Sequence, residues 1–228
     1  MKTSLFDKCR TYLLAQAAIP PALPSEPSRT ITISRETGAG AVTIGQVVAD
    51  YLQARQKEGQ SPWAVFDRNL VEKVLEDHGL QKTLAEHMPE DVASRVRSVV
   101  EEILGVHPAP GTLVDATSHT ILKLASLGNV VLVGRGSHLI TAQLKHVFHV
   151  RLIAPLEQRI AHVETYYSLS HDDAVHFTHK TDRARARYVR EHFKSDVSDP
   201  LHYHLTINTE RLSFNETARI IGDAVLNI

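Results

Sequence analysis

Short apolar runs alternate along this chain with apolar stripes of helical period. Thr30-Ile-Thr-Ile-Ser34 reads as a strand, with β-branched Ile31 and Ile33, and it leads into Gly38-Ala-Gly40. A helix over 43–57 follows, its stripe formed by Ile44, Val47, Val48, Tyr51 and Leu52. Trp63–Phe66 is a short strand that ends in Asp67-Arg68, and 70–76 turns helical. A charged helical stretch is predicted over 80–104, with Pro89 at a helix start, and a turn at 108–111. Val114–Leu127 is a helix stopped by Gly128-Asn129. Val130–Val133 is apolar without interruption, as in a strand covered on both faces. A short helix over 138–144, a strand at Val147–Ile153 and a helix over 155–167 come next. Residues 171–193 make a long basic helix or helix pair, and Leu205–Ile207 a last strand. Ser213–Leu226 closes the chain as a helix, with Glu216 three residues after Ser213 completing a capping box.

Strands alternating with helices predict an α/β fold with a central parallel sheet covered on both faces. Ligands bind such sheets beyond the carboxyl ends of the strands. That rule places Ser34–Thr43, Asp67-Arg68 and Gly134-Arg-Gly136 on one rim. Residues 1–28 stand apart as an N-terminal helix over 3–17 followed by a linker with four prolines. Three readings of that helix are open: docking on its own domain, docking on a second subunit to give a homodimer, and, a distant third, lying on a membrane surface.

Length and composition narrow the class. A chain of 228 residues suits one α/β domain with additions, and 43% hydrophobic residues support a sizeable core. Lys+Arg 25 against Asp+Glu 26 gives no general attraction to nucleic acid or to an anionic membrane. The single Cys9 excludes an internal disulfide. No apolar run of about 20 residues is present to span a membrane, and the N-terminus has no long apolar segment of a signal peptide. These features predict a cytoplasmic protein.

The sharpest candidate chemistry lies in Thr30–Gly45, a strand, a glycine turn and a helix start. That is the layout of a phosphate-binding loop, which presents backbone N–H groups and a helix dipole to an anion. The full pattern G-x-x-x-x-G-K-[ST] is broken. With Gly40 as the second glycine, Arg35 stands at the first, Ala41 at the lysine and Val42 at the hydroxyl residue, while Thr43 offers a hydroxyl one step late. An ordinary strand–helix turn that needs small residues for packing is the competing reading. Asp67 likewise reads either as a ligand contact or as the cap of the helix after it. Arg183, Arg185, Arg187 and Arg190 cannot share one helical face, and a solvated basic helix is their bland reading. The pairs His176/His179 and His202/His204 are weak metal candidates, and Ser137-His138 a weak nucleophile–base pair.

Taken in order, Ile31–Gly40, Phe66–Leu70, Val131–Gly136, Ala154–Arg159, Lys180–Arg185 with Tyr188, and Tyr203–Thr209 resemble the cytidylate kinase-like family of P-loop nucleoside monophosphate kinases. The resemblance runs from about Thr30 to the C-terminus. It implies a P-loop NTPase-like three-layer sandwich over 29–228, with a helical lid at about 168–195. It also implies transfer of a phosphoryl group from ATP to CMP or dCMP with Mg²⁺. Carried over by position, Arg35, Gly38, Ala39, Gly40, Ala41, Val42 and Thr43 hold the ATP phosphates, and Thr43 also faces the metal. Asp67, Arg68, Arg135 and Arg159 are implied for the acceptor, and Arg135, Asp182 and Arg185 for catalysis. The chain departs from the family's pattern in three places. Val42 replaces an arginine that often stands in the family's loop, Gly136 replaces an aspartate, and His204 stands where an acid is common. Glu36 and Asp115 are the acids left to orient Mg²⁺. A non-catalytic nucleotide-binding module, with a degenerate loop and a regulatory or interaction role, is the alternative.

Overall fold

The computed structural model describes residues 5–18, 28–57, 60–76 and 113–228. The helix expected over 80–104, the turn at 108–111 and most of the proline linker lie outside the described residues. Five strands form one sheet: β1 Thr30–Arg35, β2 Ala64–Phe66, β3 Val130–Val133, β4 Val147–Ile153 and β5 Leu205–Asn208. Their order is β2-β3-β1-β4-β5, and every pairing is parallel.

Alternation along the strands builds two cores. Ile31, Ile33, Val65, Val131, Val133, Val150 and Leu152 face α2 (Ala41–Gln53) and α8 (Phe214–Leu226). Phe66, Val130 and Leu132 face the opposite layer. That layer holds α1 (Leu5–Ala18), α3 (Arg68–Glu76), α4 (Leu113–Leu127) and α5 (Ser137–Ile140). The result is the expected three-layer sandwich. A third, small cluster of Ile160, Val163 and Ala174 joins α6 (Leu156–Tyr167) to α7 (His171–Phe193) outside both cores.

Two expectations are revised in detail, and one open alternative is realised. Helix α2 starts at Ala41, earlier than expected, because Gly40 takes the left-handed conformation and serves as its N-cap. Helix α5 stops at Ile140, where Thr141 turns off the helix and its hydroxyl closes back on the Ser137 carbonyl. Helix α1 docks on its own domain. Cys9, Tyr12 and Leu13 are buried, the Tyr12 hydroxyl donates to the Gly128 carbonyl, and the Tyr12 ring meets Phe66 edge-on at 5.9 Å. That apolar face is spent within the chain, so docking on a second subunit would need another face of α1. The closing helix carries its capping box as read, with Ser213 and Glu216 in reciprocal bonds. Among the described residues no helix is long and apolar enough to cross a membrane.

Candidate functional site

The site starts where β1 ends. Gly38 and Gly40 both have positive φ, +85° and +79°, and each allows a close approach. A Cβ on Gly38 would lie 2.3 Å from the Arg159 carbonyl oxygen, and one on Gly40 would lie 2.4 Å from the Phe214 ring. Glycine is therefore required at both positions by the backbone of α6 and the start of α8. Gly40 caps α2 without a side-chain bond, and α2 has no acid in its first turn. The N–H groups of that turn, together with the positive end of the helix dipole, face a cleft. The cleft has room for about 90 Å³ and is lined by Arg35, Glu36, Thr37, Gly38, Gly40–Thr43, His162, Val163, Tyr166, Tyr167 and Arg185. Ala41 is buried at the lysine position and Val42 packs on the core, so this turn carries no cation of its own.

One carboxylate ties the loop to α7. Asp182 accepts from the Thr37 N–H at 2.7 Å, from the Thr37 hydroxyl, from Arg159 Nη1 at 2.7 Å and from Arg185 Nη1 at 3.2 Å. Arg185 also donates to the Thr37 hydroxyl. Burial pushes the Arg185 guanidinium down, and Asp182 draws it back up. Arg159 is almost fully buried and is bonded within the protein through Nε and Nη1. Its Nε bonds the Ala154 carbonyl at 2.9 Å, and its Nη1 also reaches the Thr37 carbonyl at 3.1 Å. In this geometry Arg159 is a bracket between loop, α6 and α7. These contacts engage Nε and Nη1.

A second cationic group forms beyond β3. Gly134, Arg135 and Gly136 all have positive φ, +88°, +56° and +69°. This left-handed run turns Arg135 toward α7, where it hydrogen-bonds the Tyr188 hydroxyl, with its guanidinium carbon 5.9 Å from the ring centre. Arg68 lies close enough to act on the same phenol electrostatically. Asp67 caps α3, accepting from the Leu70 N–H at 2.9 Å, so the capping alternative is realised. Its charge still reaches Arg35. Helix α7 thus carries Arg185 at one cationic group and Tyr188, one turn on, at the other.

The structure brings together Arg35, Gly38–Thr43, Asp182 and Arg185 at the loop, and Arg68 with Arg135 beside Tyr188. It keeps the weaker candidates apart from this site. The His138 Nε2 bonds the Tyr203 hydroxyl at 3.1 Å and makes no pair with Ser137. His204 Nδ1 accepts from the His149 N–H at 2.9 Å. Among the described residues no group of three His, Cys, Asp or Glu is arranged for a metal. Asp115 pairs with His119 on α4. Glu36 accepts from the Ala154 N–H at 3.1 Å and lies 3.4 Å from Arg159 Nε.

Sequence reasoning missed Thr37, His162, Tyr166 and Tyr167. His162 Nδ1 sits 2.6 Å from the Gly38 carbonyl, and its ring contacts those of Tyr166 and Phe214. A signal existed: Arg159, His162, Val163 and Tyr166 follow helical spacing, so the face of α6 that holds the implied site arginine holds them too.

An uncharacterized protein from Eubacterium ventriosum has a similar solved structure. The TM-score is 0.69 at 16% identity, over 88% of this chain and 99% of that one. A shikimate kinase from Bacteroides thetaiotaomicron aligns with a TM-score of 0.48 at 13% identity, over 87% and 98% of the two chains. No curated protein matches the sequence significantly. The family model described as cytidylate kinase-like matches residues 30–211, all five strands together with the loop, the Gly134–Gly136 turn and α7, and the chain belongs to that family.

Proposed function

We propose that the protein transfers the γ-phosphoryl group of ATP to a pyrimidine nucleoside monophosphate, CMP or dCMP. The observation that carries this reading is the convergence of three distant segments. The loop after β1, the Gly134–Gly136 turn after β3 and the Asp182/Arg185 pair of α7 meet at the carboxyl end of one parallel sheet. The ATP phosphates would lie along Gly38–Thr43, and the acceptor phosphate near Arg68 and Arg135. An acceptor phosphate oxygen attacks the γ-phosphorus, the bond to the β–γ bridging oxygen breaks, and ADP leaves. Charge spread over the equatorial oxygens in that transition state suits fixed guanidinium groups, which hold their charge and donate in pairs.

Thr43 is exposed on the cleft wall and offers a hydroxyl to an Mg²⁺ carried on the phosphates, where the ion would neutralise oxygen charge. Glu36 is the only carboxylate lining the cleft among the described residues, and it is engaged by Ala154 and Arg159. This donor set fits an ion held mainly by substrate oxygens.

The second reading, a nucleotide-binding module without turnover, is favoured by Ala41 and Val42 at the two positions where a loop cation is expected. A turnover assay with ATP and CMP, dCMP, UMP or AMP separates the two. We expect ADP formation dependent on CMP or dCMP. ATP binding seen in a thermal-shift titration with no acceptor-dependent ADP would leave the module reading standing.

A further inference from the structure

A polyphosphate carries several negative charges, and a helix N-terminus supplies only about half of one positive charge. The cation missing at Ala41 must therefore come from another element if this cleft holds phosphates tightly. Arg35, the last residue of β1, lies largely buried at the cleft with its guanidinium against Gly134 of the neighbouring turn. A Cβ on Gly134 would stand 1.9 Å from Arg35 Nη1 and 3.0 Å from Cζ. Gly134 is thus a seat that only the absence of a side chain provides.

The guanidinium of Arg35 makes no hydrogen bond or ion pair among the described residues, and Asp67 and Asp182 act on it only from a distance. Arg185, the other arginine of the cleft, faces it and repels it. Burial and that repulsion push Arg35 down to about 9, so it keeps its charge at neutral pH. Arg159, the third nearby cation, has its Nε and Nη1 engaged by Ala154, Thr37 and Asp182. Two enclosed like charges, with a carboxylate that bonds Arg185 but not Arg35, form an arrangement that an anion between them would complete.

We propose that Arg35, seated on Gly134 and opposed to Arg185, is the replacement for the absent loop cation and binds the terminal phosphate of a polyphosphate lying along Gly38–Thr43. This rests on the phosphate-binding reading of the cleft given above and names the group on which it depends. It carries a consequence that a purely structural arginine lacks. Removing the Arg35 charge relieves repulsion in the empty protein while it weakens anion binding, so stability and affinity move in opposite directions.

The test uses the full chain, with sodium tripolyphosphate and ATP as probes in calorimetry and thermal unfolding. Arg35→Met is expected to keep or raise the Tm of the ligand-free protein and to weaken tripolyphosphate binding by about 10- to 100-fold, the range of one or two charged hydrogen bonds. Adding Ala41→Lys to Arg35→Met should recover at least about tenfold of that loss, because it restores the charge from the usual side of the loop. If Arg35→Met does not fold, Gly134→Ala carries the test. Its Cβ displaces the guanidinium from its seat, and the same loss and the same rescue by Ala41→Lys are expected. Tripolyphosphate affinity within about twofold of wild type overturns the inference, as does a loss that Ala41→Lys leaves unrepaired. A wild-type protein that transfers no phosphoryl group to CMP, yet binds tripolyphosphate through Arg35, sinks the transferase reading and leaves this inference intact. Transfer to CMP with Arg35→Met binding tripolyphosphate normally does the reverse.

Discussion

At the scale of single residues, polar side chains at the loop and those under Tyr203 are treated differently. At the loop, Thr37, Asp182 and Arg185 meet one another at the cleft. On the α4 face of β4, His149 is buried with its Nδ1 2.8 Å from the Thr32 hydroxyl, and His138 is buried under Tyr203. Burial is the main cause that pushes His138 down to about 3 and His149 down to about 4. The charges of His202, His204 and Arg151, which face them, act in the same direction. Both imidazoles are neutral in the native state, while in the unfolded chain they take up protons near pH 6.5. The unfolded state therefore binds more protons as pH falls from about 6.5 toward 4, and stability must fall over that window. With both groups contributing, the slope approaches about 2.7 kcal/mol per pH unit. Urea unfolding at pH 7.5, 6.0 and 5.0 reads it directly, and stability that holds level from 7.5 to 5.0 refutes the buried neutral state. Nothing in the sequence marked either histidine, among the 14, for burial. Their burial follows from β4 and the 200–204 segment packing together, a contact between distant parts of the chain. Arg35 shows the same limit. Its place at the loop was readable from spacing, whereas its seat on Gly134 depends on the neighbour relation of β1 and β3.

At the scale of elements, periodicity was a good guide wherever one face of an element meets the core. The strands, α2, α8 and the capping box all follow from local pattern, because burial selects the apolar positions and the cap selects Ser213 and Glu216. The partner of an amphipathic face is not local information, and α1 is the case in point. Cys9, Tyr12 and Leu13 announced a buried face, but its partner β2 lies some fifty residues on. Burial pushes the Cys9 thiol up to about 12, in keeping with a structural role, and the thiol donates to the Val65 carbonyl at 3.3 Å. Tyr12→Ala would empty a fully buried aromatic site and orphan the Gly128 carbonyl. The expected loss is about 3 to 5 kcal/mol by chemical denaturation, and about 1 kcal/mol for Tyr12→Phe, which keeps the ring. A Tyr12→Ala protein within about 1 kcal/mol of wild type would mean that α1 is not anchored on the sheet.

At the scale of the whole molecule, a nearly neutral chain concentrates arginine on one rim of a parallel sheet, which is where the topology puts ligands. That convergence was legible in order and spacing. The fastening of α6 and α7 was not, because Asp182 reads in sequence only as one half of a D-x-x-R pattern. The small cluster of Ile160, Val163 and Ala174 holds those two helices to each other, outside the main cores. At the loop α7 is attached through the Asp182 carboxylate, which accepts from Thr37, Arg159 and Arg185, whereas α6 also meets the loop directly through Arg159 and His162. Breaking a buried ion pair costs about 3 to 5 kcal/mol. The Asp182 side chain keeps 29% of its exposure, so solvent reduces the cost to about 2 kcal/mol. Local opening rather than global unfolding should carry most of that loss, since neither main core is touched. Asp182→Ala is therefore expected to speed amide exchange across 171–193 by about 10- to 30-fold while β1 and β3 exchange as before. Asp182→Asn, which keeps an acceptor for the Thr37 N–H, should fall between. Uniform acceleration through the sheet would show that α6 and α7 belong to the main cooperative unit, and unchanged exchange in α7 would show that Asp182 does not fasten it.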